Sequence, residues 1–193
     1  MVIGLPRGGV PVAYEVAHIL ACPLDVIVVR KVGVPWQPEV AMGAIGEDGA
    51  LVVEHDTVKM SGVSDADFQL VVAAERKELR RRIRKYRRRR PPLSLENVVV
   101  VIVDDGLATG ATAHAACGVA RARGAARVIV AAPVASNAAA TRVERVADEL
   151  VTLERVGGPF AVGQWYEDFG ATPDQEVIDD LVKARLENDT EIS

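Results

Sequence analysis

Val98-Val-Val-Val-Ile-Val-Asp-Asp-Gly-Leu-Ala-Thr-Gly-Ala-Thr112 is the stretch that decides how this chain folds. Six consecutive β-branched apolar residues run into two carboxylates, and a loop of small residues leads into a helical pattern over residues 114–123. An apolar run of that length, backed by turn residues, predicts a strand buried on both faces of a parallel sheet. Asp104 and Asp105 then sit at the carboxyl end of a central strand, where open α/β sheets bind ligands. The loop offers the N–H groups of Gly106, Leu107, Ala108, Thr109, Gly110, Ala111 and Thr112 at a helix N-terminus, a place suited to phosphate. Carboxylates beside such a cradle suit a phosphorylated sugar, accepting from two hydroxyls while the loop grips the phosphate. A Walker A loop would need a lysine and a dinucleotide fingerprint would need Gly-x-Gly-x-x-Gly; neither is present. A tight turn carrying two solvated aspartates is the bland alternative.

The chain opens in a similar way. Met1-Val-Ile-Gly-Leu-Pro-Arg-Gly-Gly-Val10 reads as a short strand, a Gly-rich turn and the start of a helix over residues 10–20. Gly8 and Gly9 allow backbone geometries closed to other residues, so amides can approach a ligand closely. Arg7 adds a fixed charge suited to bidentate contact with phosphate. Leu24-Asp-Val-Ile-Val-Val-Arg-Lys-Val-Gly33 reads as one strand ending in Arg30 and Lys31, two cations at the same carboxyl edge. Cations there can stabilise charge that develops on a leaving group; a solvated strand end is the plainer reading. Gly33-Val-Pro-Trp-Gln-Pro-Glu39 reads as loop, because prolines remove amide donors.

The apolar strand, Asp-Asp and Thr-Gly-x-Thr together resemble the phosphoribosyl pyrophosphate (PRPP) signature of the type I phosphoribosyltransferases. Pro6-Arg7-Gly8-Gly9 resembles the pyrophosphate loop of that family, which often has an unusual backbone conformation. The resemblance implies an α/β fold, a doubly wound and mainly parallel central sheet flanked by helices, with a small hood and a mobile loop or hairpin. It implies a Mg²⁺-dependent pentosyltransferase that moves ribose 5-phosphate from PRPP to a nucleobase or related nitrogen acceptor, with inversion and release of pyrophosphate. Asp104 and Asp105 would face the ribose hydroxyls, directly or through the waters of Mg²⁺. Residues 106–112 would hold the 5′-phosphate, and Arg7, Gly8 and Gly9, with Arg30 and Lys31, would hold pyrophosphate. In the 6-oxopurine enzymes an acid precedes Thr-Gly; Ala108 stands there and cannot exchange a proton. That argues against a hypoxanthine-guanine enzyme and leaves adenine, orotate, uracil and non-base acceptors open. The family also implies a homodimer, and its members usually carry more chain before the first strand, so a short or trimmed start is expected.

Length and composition agree. At 193 residues, with 49% hydrophobic residues and a mean hydropathy of +0.14, the chain fits one globular domain. No apolar run reaches membrane-spanning length and no signal segment opens the chain, which reads as a cytoplasmic protein. Cys22 and Cys117 lie far apart without metal or redox spacing and read as buried free thiols.

The net charge of −4 hides an asymmetry: residues 76–90 hold eleven Lys/Arg and one acid, leaving twelve Lys/Arg against twenty-six acids elsewhere. This block ends a helix over residues 64–90, capped by Ser64 with Asp67, with Phe68, Val72, Leu79, Ile83 and Tyr86 at helical spacing. Three readings stand: nucleic-acid binding, docking against the acidic remainder of the chain or of a dimer mate, and a solvated face. Only Tyr86 is available for base stacking. The first of these carries an alternative function, a PRPP-binding regulator that contacts nucleic acid.

Residues 40–46 and 50–53 read as a hairpin across Glu47-Asp48-Gly49, within a loop and hairpin region over 33–62. Lys59 there is a candidate for reaching pyrophosphate, or an ordinary surface lysine. Strands over 127–132 and 150–153 alternate with a helix over 137–148, as a doubly wound sheet requires. Residues 157–193 read as turn, then a helix over 173–186 entered through Thr172 as N-cap, and would supply the hood. Trp165, Tyr166 and Phe169 gather three of the eight aromatics. A planar acceptor could stack on Trp165 or Tyr166, or these rings simply pack the last helix on the sheet.

Overall fold

A computed structural model describes residues 1–88, 90–158 and 161–191. Arg89 of the basic block, Pro159 and Phe160 of the expected hood, and Ile192 and Ser193 lie outside the described residues.

The apolar run forms β6 (Val99–Val103) at the middle of a five-stranded sheet. Its neighbours are β1 (Val2–Gly4) and β7 (Arg127–Ser136), flanked by β2 (Leu24–Val26) and β8 (Glu149–Val156), and every pairing is parallel. Side chains alternate along each strand, and here they feed two cores. Val2, Leu24, Val26 and Val103 pack with α1 (Gly9–Ile19) and α6 (Asp174–Glu191). Ile3, Ile102, Val128 and Val130 pack with α4 (Ala111–Ala122) and α5 (Asn137–Glu144). That is the doubly wound α/β fold expected, and it explains why β6 carries no polar residue: both of its faces are covered.

The segment read as one strand over 24–33 divides. β2 ends at Val26, and β3 (Val29–Val34) joins a separate three-stranded antiparallel sheet with β4 (Gln37–Gly46) and β5 (Leu51–Val53). The break is set by tertiary contact, since the Val28 amide donates to Glu47 Oε1 at 3.0 Å. The expected hairpin is present as β4 and β5. The expected loop over 33–39 is mostly strand, with Val34 paired to Gln37 across irregular register at Gly33. Pro38 is tolerated because β4 pairs with β5 only from Gly43 onward, so its start is an edge.

After α2 (His55–Ser61), α3 (Asp65–Arg87) starts as the capping pattern predicts: Ser64 Oγ accepts the Asp67 amide at 3.1 Å. Its C-terminal end is held by acids of the same chain. Arg87, 5% exposed, donates from Nη1 to both Asp25 oxygens at 3.0 and 3.1 Å, from Nη2 to Val26 O at 2.7 Å, and from Nε to Glu47. Lys85 pairs with Asp174 of α6, and the buried Tyr86 hydroxyl donates to the same carboxylate at 2.6 Å. The one aromatic of the block is therefore closed to stacking, and the reading of docking within the chain describes this end of the helix.

Boundaries shift elsewhere. α5 stops at Glu144 because the following turn delivers Asp148 to β7, where its side chain accepts the Val128 amide at 2.7 Å. α6 begins at Asp174, so Thr172 lies ahead of the cap position. Cys117 is buried and Cys22 half-buried, and both are free thiols.

Candidate active site

Pairing of Gly4 with Val103 puts the turn after β1 beside the carboxyl end of β6. The two loops touch. A Cβ on Gly8 would lie 2.0 Å from Asp105 Oδ2, and one on Gly9 would lie 2.6 Å from Val103 O and 2.8 Å from Asp104 Cα. Only glycine allows this approach. The Pro6–Arg7 peptide bond is cis. The Arg7 side chain is exposed, and its charge is felt by Tyr86 and Asp174.

Asp104 and Asp105 stand together at the end of β6. Asp104 Oδ1 accepts the Asp105 amide at 3.1 Å. Burial above all, and then the charge of Asp105, hold the Asp104 carboxyl well above the usual carboxylate range. Among the described residues no three His, Cys, Asp or Glu side chains gather as a metal site.

Past the acids the loop curls into α4, with Gly110 at φ +68° as its cap. Leu107 departs from expectation: it is buried, its amide donates to Val134 O at 2.9 Å, and its carbonyl accepts the Ser136 amide at 2.9 Å. Leu107 therefore anchors the loop and offers no free N–H. Next, Ser136 Oγ donates to Ala108 O at 2.8 Å and Arg142 Nη1 donates to Thr109 O at 2.9 Å. Among the described residues the amides of Ala108, Thr109 and Gly110 make no hydrogen bond. Ala111 N–H reaches Thr109 Oγ1 at 3.4 Å, and Thr112 sits in the first turn of α4.

The two cations expected at one edge separate, because neighbouring strand residues face opposite ways. Arg30 turns to α3, where its Nε is 2.7 Å from Glu75 Oε2. Lys31 lines a cavity of about 420 Å³ with Glu54, Ala111, His114, Arg142 and Arg145. Lys31 thus reaches the helix that the loop enters, and Arg30 does not.

From the C-terminal segment, Tyr166 reaches the site: its hydroxyl donates to Asp105 O at 2.7 Å. Burial, then the charges of Asp105 and Asp104, raise its hydroxyl above the usual range. Val162 covers Gly106, and the Tyr166 and Phe169 rings lie 5.2 Å apart. With Gly8, Val12, Asp105, Asp168 and Glu176, these rings line a cavity of about 380 Å³. Trp165 is half exposed and outside that lining. Sequence reasoning missed Ser136, Arg142, Asp168 and Glu176.

The phosphoribosyl transferase domain model matches residues 1–165. The chain belongs to this phosphoribosyl transferase family. Two Mycobacterium tuberculosis proteins bearing that family name, from strains CDC 1551 and H37Rv, are each 50% identical to it over 184 residues. That span is 95% of this chain and 42% of each relative, so the chain spans less than half their length. The crystal structure of the protein TT1426 from Thermus thermophilus superposes with a TM-score of 0.86 at 45% identity, covering 94% of this chain and 86% of that one. The likeness to TT1426 therefore covers more of the chain than the matched domain does.

Proposed function

We propose that this domain transfers ribose 5-phosphate from PRPP to a small, carboxylate-free nitrogen acceptor, with release of pyrophosphate. The observation that carries the reading is the contact between the two loops, so close that a Cβ on Gly8 would fall 2.0 Å from Asp105 Oδ2. The Gly9 amide is taken by Leu5 O at 3.1 Å, so the diphosphate would lie on the Gly8 amide and the Arg7 side chain, next to a ribose on Asp104 and Asp105, as one molecule of PRPP requires. The 5′-phosphate goes to the amides past Leu107. The C1–O bond to pyrophosphate breaks as the acceptor nitrogen bonds to C1 from the opposite face. A transition state with oxocarbenium character needs positioning and nearby negative charge more than a protein nucleophile.

Mg²⁺ fits the donor set, since one or two carboxylates with substrate oxygens and water is its usual coordination. Asp104 and Asp105 would hold it, directly or through its waters, and when bound it would neutralise charge on the departing diphosphate.

The acceptor would enter the cavity under Tyr166 and Phe169. Asp105, Asp168 and Glu176 line it, and none of its described lining residues is basic. A carboxylate acceptor such as orotate would meet like charge there, whereas a ring bearing amino or N–H donors would be welcomed. Titration of PRPP into the wild-type domain and the Asp104→Asn/Asp105→Asn variant tests the donor site. Binding should be lost in the variant, by about 10-fold or more for each charged hydrogen bond removed. Equal affinity would remove the assigned role. Pyrophosphate release should follow with adenine-like or amine acceptors and not with orotate.

A further inference from the structure

We propose that Ser136 and Arg142 are positioning residues for the donor's 5′-phosphate, although neither belongs to the phosphate loop. The inference rests on the PRPP reading above. In a planar trans peptide the carbonyl of one residue and the amide of the next point in opposite directions. Ser136 Oγ holds the Ala108 carbonyl at 2.8 Å, which turns the Thr109 amide away from β7. Arg142 Nη1 holds the Thr109 carbonyl at 2.9 Å, which turns the Gly110 amide away from α5. Two consecutive carbonyls are thus held from outside the loop, and the Thr109 and Gly110 amides, which make no hydrogen bond among the described residues, are left ahead of the first turn of α4.

Both anchors belong to the start and body of one helix. Ser136 is buried, and its Oγ also accepts the Ala139 amide at 3.0 Å as the N-cap of α5. One hydroxyl therefore aligns α5 and the loop at once. Arg142 lies on α5, so the same helix carries the second anchor. Leu107, bonded on both sides to β7, fixes where the loop leaves the sheet. Without the anchors, the Thr109 and Gly110 peptides can rotate and the cradle loses its convergence. Arg142 also brings positive charge to the back of the loop, where it favours a bound dianion.

Because the 5′-phosphate is remote from the reacting carbon, the anchors act on binding rather than on bond breaking. The test compares ribose 5-phosphate and pyrophosphate, each titrated into the wild-type domain, Arg142→Ala, Arg142→Lys and Ser136→Thr. Arg142→Ala should weaken ribose 5-phosphate about 10-fold and leave pyrophosphate, held by the Gly8–Gly9 loop, unchanged. Arg142→Lys should recover part of the loss, since one donor suffices for Thr109 O, and Ser136→Thr should keep wild-type affinity because its hydroxyl is retained. In turnover, KM for PRPP should rise in Arg142→Ala with kcat within about twofold. If wild-type binds ribose 5-phosphate and Arg142→Ala binds it equally well, the positioning role falls. Equal weakening of both ligands would overturn it too, as general loss of structure. Absence of ribose 5-phosphate binding in the wild-type domain would instead remove the PRPP reading beneath it.

Discussion

At the scale of single residues the site is built from conflict. Asp104 is a carboxyl placed where burial and the Asp105 charge oppose its ionisation. Its folded value lies above its unfolded one, so the fold favours the protonated form. Below the ordinary carboxyl value both states are protonated and there is no penalty. As pH rises through the window up to the folded value, the penalty grows by about 1.4 kcal/mol for each pKa unit of elevation. Asp104→Asn should therefore match wild-type in thermal stability near pH 3.5 and exceed it at pH 7, by about 2–4 °C per kcal/mol relieved. A melting series in metal-free buffer checks this, and a constant difference across pH would contradict it. Gly8 and Gly9 make a second residue-scale contrast. A methyl at Gly8 meets the Asp105 carboxylate, a side chain that can swing away, whereas one at Gly9 meets the backbone of Val103 and Asp104. Gly8→Ala should fold and lose donor affinity, while Gly9→Ala should lower the melting temperature as well, through about 1–3 kcal/mol of overpacking. Circular dichroism melts beside PRPP titration separate the two.

Among elements, legibility followed how local the cause was. β6 was readable because both of its faces are buried, so the run of six apolar residues has no polar interruption. The start of α3 was readable because Ser64 and Asp67 are three residues apart and settle the cap between them. The division between β2 and β3 was not, since nothing from Asp25 to Val29 breaks a strand and the decisive acceptor, Glu47, lies 19 residues on. A single strand there would put Arg30 and Lys31 at one edge, whereas alternation along β3 parts them. Ser136 and Arg142 are 28 and 33 residues from the carbonyls they hold, a separation no motif records. Cys117 gives an element-scale prediction. It faces the sheet from α4, and burial pushes its thiol up to about 12. Only thiolate reacts, so iodoacetamide at pH 8 should modify half-buried Cys22 and spare Cys117 until denaturant is added. Mass spectrometry of the native protein should find one adduct; two would place Cys117 within reach of solvent.

For the whole molecule the decisive contact is Arg87, which ties the end of α3 to both sheets. Asp25 belongs to β2 of the parallel sheet, and Glu47 follows β4 of the antiparallel one. Burial raises the Glu47 carboxyl, and the Arg87 guanidinium offsets that only in part. Burial also opposes the charge of Arg87, yet the two carboxylates outweigh it and raise its value. Replacing this cluster with apolar residues could be neutral, but removing one member leaves buried charge without a partner, which costs about 3–5 kcal/mol. Arg87→Ala should lower the melting temperature by about 10 °C at pH 8, at 2–4 °C per kcal/mol. The loss should shrink at pH 5. Without the guanidinium the Val28 amide alone works against the burial that raises Glu47, so its carboxyl can take a proton in the folded state and escape the cost of burying its charge. Adding Asp25→Asn and Glu47→Gln to Arg87→Ala should recover part of the stability at pH 8 and remove the difference between the two pH values. Equal destabilisation by Arg87→Ala at pH 5 and pH 8 would mean that the sheets are joined by packing along α3, and that the charges at its end contribute nothing.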